Sequence, residues 1–205
     1  MNIALKTGMA IALLIAASCS QAQAQDHDSD PLRAITGCFS GGEFHAESTE
    51  RRTAASPFRT VDTAAGPRQI SVADGYRLLI YRSSKQPLVN LKIERSVEGR
   101  FDDDRAATLA QLARLADSSK PPNAVIVEHS TQNGIAIASL NNRAIGTAGV
   151  VSMLQLFDAS SGTIATAYML NQAPAVREYS DEDSYRVLRD RFIGTLSTCM
   201  AHAPQ

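Results

Sequence analysis

The sequence predicts an α+β domain, a twisted antiparallel sheet built of hairpins and flanked by two main helices. Three observations carry that expectation. Apolar and polar residues alternate over several strand-length stretches separated by turn residues. Two longer stretches repeat their apolar residues at helical spacing. Two cysteines, Cys38 and Cys199, bracket nearly all of these segments.

From Gln69 the alternation begins. Ile70 and Val72 lead to Asp74-Gly75, a turn signal, and then to Tyr76, Leu78 and Ile80, so a hairpin is expected here. Residues 88–96 alternate cleanly, with Val89, Leu91 and Ile93 on one side and Asn90, Lys92 and Glu94 on the other. That is a strand with one buried face. Asp102-Asp103-Asp104 then opens an amphipathic helix to about Ser118, with Asp102 as its expected cap and Leu109, Leu112, Ala113 and Ala116 as its apolar stripe. Three consecutive acids at a helix start point around the axis and do not converge on a metal.

Lys120-Pro121-Pro122-Asn123 stops that helix. Residues 124–129 and 135–140 form a second expected hairpin, turning near Asn133-Gly134. Residues 149–157 and 163–170 form a third, joined through Asp158 to Gly162. Ser180-Asp181-Glu182-Asp183 reads as a capping-box variant with Asp183 in place of Glu or Gln. The helix it opens puts Tyr185, Leu188, Phe192, Leu196 and Cys199 on one stripe, so Cys199 is expected to face inward. Residues 41–67 are polar and weakly patterned, an edge strand followed by a long surface loop.

The first 24 residues have the layout of a signal peptide. Lys6 supplies the positive charge, residues 8–17 the short apolar run, and Ala22-Gln23-Ala24 the small-residue cleavage site before Gln25. An alternative cut at Ala16-Ala17-Ser18-Cys19 would acylate Cys19 and make a lipid-anchored envelope component. The run is too short to span a bilayer as a stable anchor. The organisation expected is therefore a signal peptide over 1–24, a flexible segment over 25–35 and a single α+β domain over 36–205, in the periplasm or secreted.

The mature part carries 19 basic and 21 acidic residues, a balance that disfavours a nucleic-acid partner. With no Trp and few aromatic residues, the chain has little with which to build a carbohydrate platform or a cation cage. In an oxidising compartment Cys38 and Cys199 should pair. Redox-active pairs sit as C-x-x-C beside a helix start, so this widely spaced pair reads as structural.

The element order over residues 68–200 resembles the Mog1/PsbP-like α+β fold, an antiparallel sheet flanked by helices. The closing stretch TIATAYMLNQAPAVREYSDEDSYRVLRDRFIGTLSTC also resembles the C-terminal signature of small exported bacterial proteins of unknown function. Many proteins of that fold are accessory or binding modules, so the resemblance implies work through a protein partner in the cell envelope.

The candidate chemistry is sparse. Glu43, His45 and Glu47 are spaced by two and would share one face of a strand, where two carboxylates beside an imidazole suit a metal-assisted or acid–base enzyme. The same spacing also suits the charged outer side of an edge strand. His129 follows Val125 and Val127 on one strand face and is expected to be partly buried. No nucleophile elbow, phosphate loop, dinucleotide fingerprint or zinc motif appears in the sequence, and no cofactor or metal is called for. Asn141, Asn142 and Arg143 follow one predicted strand, while Asn171 follows another and leads to Arg177. Strand-end loops are where partners are held, and these five residues are the candidate binding set. The lead expectation is an exported, non-catalytic binding or accessory domain.

Overall fold

A computed structural model describes residues 30–52, 56–119, 124–143 and 149–204. The expected signal peptide, the alternative site at Cys19 and the start of the flexible segment lie outside the described residues. The elements are α1 (Pro31–Gly37), β1 (His45–Arg51), β2 (Phe58–Thr63), β3 (Gly66–Ser71), β4 (Asp74–Tyr81) and β5 (Val89–Arg95). They continue with α2 (Phe101–Asp117), β6 (Val125–Gln132), β7 (Ile135–Asn142), β8 (Val150–Asp158), β9 (Thr163–Leu170) and α3 (Glu182–Ala201). Seven strands form an antiparallel sheet in the order β1-β4-β5-β9-β8-β7-β6, and β2 pairs with β3 in a separate two-stranded layer. The α+β class is as expected, and among the described residues no helix is long and apolar enough to cross a membrane.

Period-two alternation divides the side chains of the sheet between two cores. On one face Leu78, Ile80, Leu91, Ile93, Leu154, Leu156, Ala165 and Ala167 pack with α1 and α3. On the other, Ala138, Met153, Phe157 and Ile164 pack with Leu112 of α2. Ala107 of α2 meets Val61 and Ile70, which seats the β2–β3 layer on that helix. The helix stripe differs from the expected one, because Asp104, Ala107, Thr108 and Leu112 turn inward while Ala113 is exposed.

α3 buries Tyr185, Leu188, Phe192, Leu196 and Cys199 as expected. Its box is displaced by one residue. Asp181 is the cap, accepting from the Ser184 amide at 2.8 Å while the Ser184 hydroxyl accepts from the Asp181 amide at 3.1 Å. Cys199 is bonded to Cys38, with the two Cα atoms 6.2 Å apart at a sequence separation of 161. The bond joins the C-terminal end of α3 to the end of α1.

Four further expectations need correction. The flexible segment does not extend through residue 35, because Asp30 caps α1 and Leu32 and Ile35 are completely buried. Asp74-Gly75 is not a hairpin turn. It opens β4, which pairs with β1 and β5, and the chain crosses into the sheet where the Ala73 amide donates to the Arg95 carbonyl at 2.8 Å. Gly75 serves close approach, since a Cβ there would meet the Ile93 carbonyl oxygen at 3.0 Å. The stretch expected as a long loop contains β2. The Asp102 cap is absent, for α2 starts from Arg100 with no side-chain cap, and Asp104 is used inside the fold. By contrast the Asn133-Gly134 turn is as read, with both residues at positive φ.

Candidate functional site

The topology gathers four of the five candidate residues at one end of the sheet. β7 ends beside the start of β8, with Asn141 opposite Ser152, and β9 ends on the other side, with Leu170 opposite Val150. The Asn171 amide donates to the Gly149 carbonyl at 3.1 Å and closes the gap. Asn141, Asn142 and Arg143 thus flank one side of the β8 start, and Asn171 the other. Arg177 joins them after a 3₁₀ turn over Pro174–Val176. Its Nε donates to the Gln172 carbonyl at 3.4 Å, and its guanidinium lies 5.5 Å over the Tyr179 ring.

A chain of contacts runs beneath this rim. The Tyr179 hydroxyl donates to Asn171 Oδ1 at 3.2 Å, and the Tyr179 ring meets that of Tyr185 edge-on, centroids 5.0 Å apart. The Tyr185 hydroxyl donates to Ser152 Oγ at 2.6 Å, which donates in turn to Asn141 Oδ1 at 2.7 Å. Asn141 Nδ2 donates to Glu128 Oε2 at 2.8 Å and Ser139 Oγ at 3.0 Å, and Arg189 reaches the same Glu128 oxygen at 3.1 Å. Burial raises both tyrosine hydroxyls above the usual phenol range, with Arg177 opposing the effect at Tyr179. These phenols are neutral donors that hold strand ends in place. The recess between β6, β7 and α3 has a volume of about 40 Å³, little more than a water needs.

A second anchor, centred on Glu178, has no sequence signal. Its carboxylate accepts from the Ser83 and Ser84 amides at 3.2 and 2.9 Å and from Arg82 at 3.2 Å. Arg82 also holds Glu43 at 2.8 Å, and Arg191 approaches the same Glu43 oxygen at 3.3 Å. The hydrogen bond that Arg82 donates to Glu43 is the main reason its guanidinium is raised above its ordinary value. The β4–β5 loop, the segment before α3 and the start of β1 are tied together in this way. Arg82, Ser83 and Ser84 stand more than 90 residues from Glu178 in sequence, so no local pattern announces them.

Glu43, His45 and Glu47 are not brought together. Glu43 precedes β1 and is engaged by Arg82 and Arg191. His45 pairs with Tyr81 in register and stacks on its ring at 6.3 Å. A register irregularity between Ala46 and Thr49 breaks the alternation, and Glu47 lines the open groove between β1 and α1. His129 is exposed on the edge strand β6, contrary to the partial burial expected. Among the described residues, no three His, Cys, Asp or Glu side chains are grouped so as to hold a metal ion. Compared with known proteins, the chain matches no family model, and no curated protein is significantly similar to it.

Proposed function

We propose that this protein is an exported, non-catalytic binding or accessory domain, periplasmic or secreted, that engages a protein partner through the loops at the β7–β8–β9 end of its sheet. The supporting observation is an exposed apolar and cationic rim on a hydrogen-bonded base. Of the six large apolar side chains left exposed among the described residues, Ile126, Val150 and Val176 belong to this end of the sheet. Ile126 is opposite Asn141, Val150 is opposite Leu170, and Val176 directly precedes Arg177. Exposed Arg143 and half-buried Arg177 add positive charge. Apolar contacts rimmed by arginine, with loop roots fixed by Tyr179, Tyr185 and Ser152, suit a preorganised protein-contact surface.

The resemblance to the Mog1/PsbP-like fold, in which accessory modules are common, agrees with this reading. The test is an affinity capture of the tagged, exported protein from its native envelope, run beside an Arg143→Ala/Arg177→Ala/Val176→Asp variant. One stoichiometric partner, lost with the variant, is the expected result. Capture of no partner, or equal capture by the variant, overturns the proposal.

A further inference from the structure

The sheet face opposite α1 and α3 carries a row of charges that its own structure does not balance. Register places Glu50, Arg77, Lys92 and Thr166 side by side across β1, β4, β5 and β9. Arg77 and Lys92 are direct cross-strand neighbours, with Cβ atoms about 5 Å apart in such pairs, and like charges so placed are destabilising. Arg59 of β2 comes over the same region, its guanidinium 2.8 Å from Glu94. Arg52, just beyond β1, also acts electrostatically on Lys92. Four cations thus face two carboxylates, Glu50 and Glu94, and Glu50 is exposed.

The donors are only partly used. Arg77 Nε bonds Asn90 Oδ1 at 3.2 Å, whereas the buried Arg59 Nε has no partner among the described residues. The Lys92 ammonium lies 5.5 Å over the Tyr168 ring, in a half-buried position. Burial and the neighbouring arginines hold it below the ordinary lysine value, against the pull of Glu94. A threonine or methionine at position 92 would fill the same strand position without these costs. The Tyr168 ring and the attraction of Glu94 offset these costs only in part, and a local rule broken in this way points to a functional position.

We propose that Lys92, with Arg77 and Arg59, binds the oxyanion of a small ligand, a carboxylate or phosphate, whose apolar part lies on Tyr168 and Leu79. Leu79 and Tyr168 both pair with Asn90 and so share the Lys92 face. The anion supplies the missing counter-charge, and the lowered hydration of the half-buried ammonium strengthens a charge-assisted hydrogen bond. This site is on the opposite sheet face from the Tyr185–Ser152 contact, so it stands or falls independently of the strand-end surface.

The experiment is an amide NMR titration of the exported protein with inorganic phosphate and, separately, acetate, each against sodium chloride at equal ionic strength. Saturable shifts at Arg77, Lys92 and Thr166 are expected with phosphate, acetate or both. Phosphate alone identifies a phosphoryl ligand, acetate alone a carboxylate. Lys92→Met should weaken binding about tenfold or more, and Lys92→Arg should retain it. In anion-free buffer Lys92→Met should also raise the thermal midpoint. Shifts matched by chloride, binding unchanged in Lys92→Met, or a lowered midpoint showing Lys92 to be structural, would each overturn the proposal.

Discussion

The completely buried Asp104 carboxylate accepts hydrogen bonds from both the backbone amide and the hydroxyl of Ser71, the amide at 2.9 Å. The Ser71 hydroxyl oxygen accepts in turn from the Val97 amide at 3.0 Å. One carboxylate thereby fastens the first turn of α2 to the end of β3 and, through Ser71, to Val97, two residues past the end of β5. Asp104→Ala should cost about 2–3 kcal/mol, because it strands a buried amide and removes a charge-assisted bond. Asp104→Asn, which keeps the shape and one acceptor, should cost less. Urea unfolding of the three proteins checks the order, and an alanine variant within experimental error of wild type would refute this role.

Cys38 and Cys199 close a loop of 161 residues. Restricting so long a loop in the unfolded chain is worth about 5 kcal/mol at most. Replacing both cysteines by alanine should therefore lower stability by several kcal/mol, on the order of that limit. The loss should also be local in the native state, because α1 is a short helix anchored through Leu32, Ile35 and this bond. Hydrogen exchange in Pro31–Gly37 should rise more than in β5 or β9. Uniform acceleration across the sheet would show that α1 is not a separable unit.

What could be read from sequence follows from how local each cause is. Val89, Leu91 and Ile93, and likewise Tyr185, Leu188, Phe192 and Leu196, advertise their faces because a single buried side imposes its period. The Asn133-Gly134 turn was legible because positive φ at both positions selects those residues. Asp74-Gly75 has the same turn chemistry but serves other ends, a carboxylate for Arg51 and a close approach to β5. That distinction depends on tertiary contacts. The start of α1 carries a local signal as well, since Asp30-Pro31 is a cap followed by a first-turn proline.

The candidate site divides along the same line. Asn141, Asn142, Arg143 and Asn171 came together because antiparallel hairpins return their ends to one edge. Their hydrogen-bond partners Tyr179, Ser152 and Glu128 were not legible, for each belongs to another segment of the chain. The Glu43, His45 and Glu47 pattern assumed an unbroken strand, and the irregularity after Ala46 undid it. The charge row at Lys92 was visible only as the polar side of a strand, and pairing with Arg77 gives it its significance.

Tyr185 offers a test of the base beneath the strand-end surface. Tyr185→Phe removes the donor to Ser152 and should cost about 1 kcal/mol. The folded hydroxyl titrates above its unfolded value, so its contribution is fully present below about pH 10 and is lost as pH rises towards the folded value. The wild type should consequently lose stability above about pH 10 more steeply than Tyr185→Phe. Parallel alkaline limbs would show that the phenol is not held neutral by the fold.

Asp74 should act on the acid side in the same way, with the opposite sign. Burial pushes its carboxyl upward, but the Arg51 guanidinium at 2.7 Å and the Gly75 amide at 2.8 Å outweigh that and hold it below the ordinary carboxylate range. A carboxyl lowered by folding contributes stability above about pH 4, and that contribution disappears as pH falls through the folded value. Asp74→Asn keeps the side-chain shape at the start of β4 while abolishing the titration. Its urea midpoint should lie below that of wild type near neutral pH and approach it by about pH 2. A gap that stays constant over this range would mean that Asp74 acts through shape and hydrogen bonding alone, with no charge effect from Arg51.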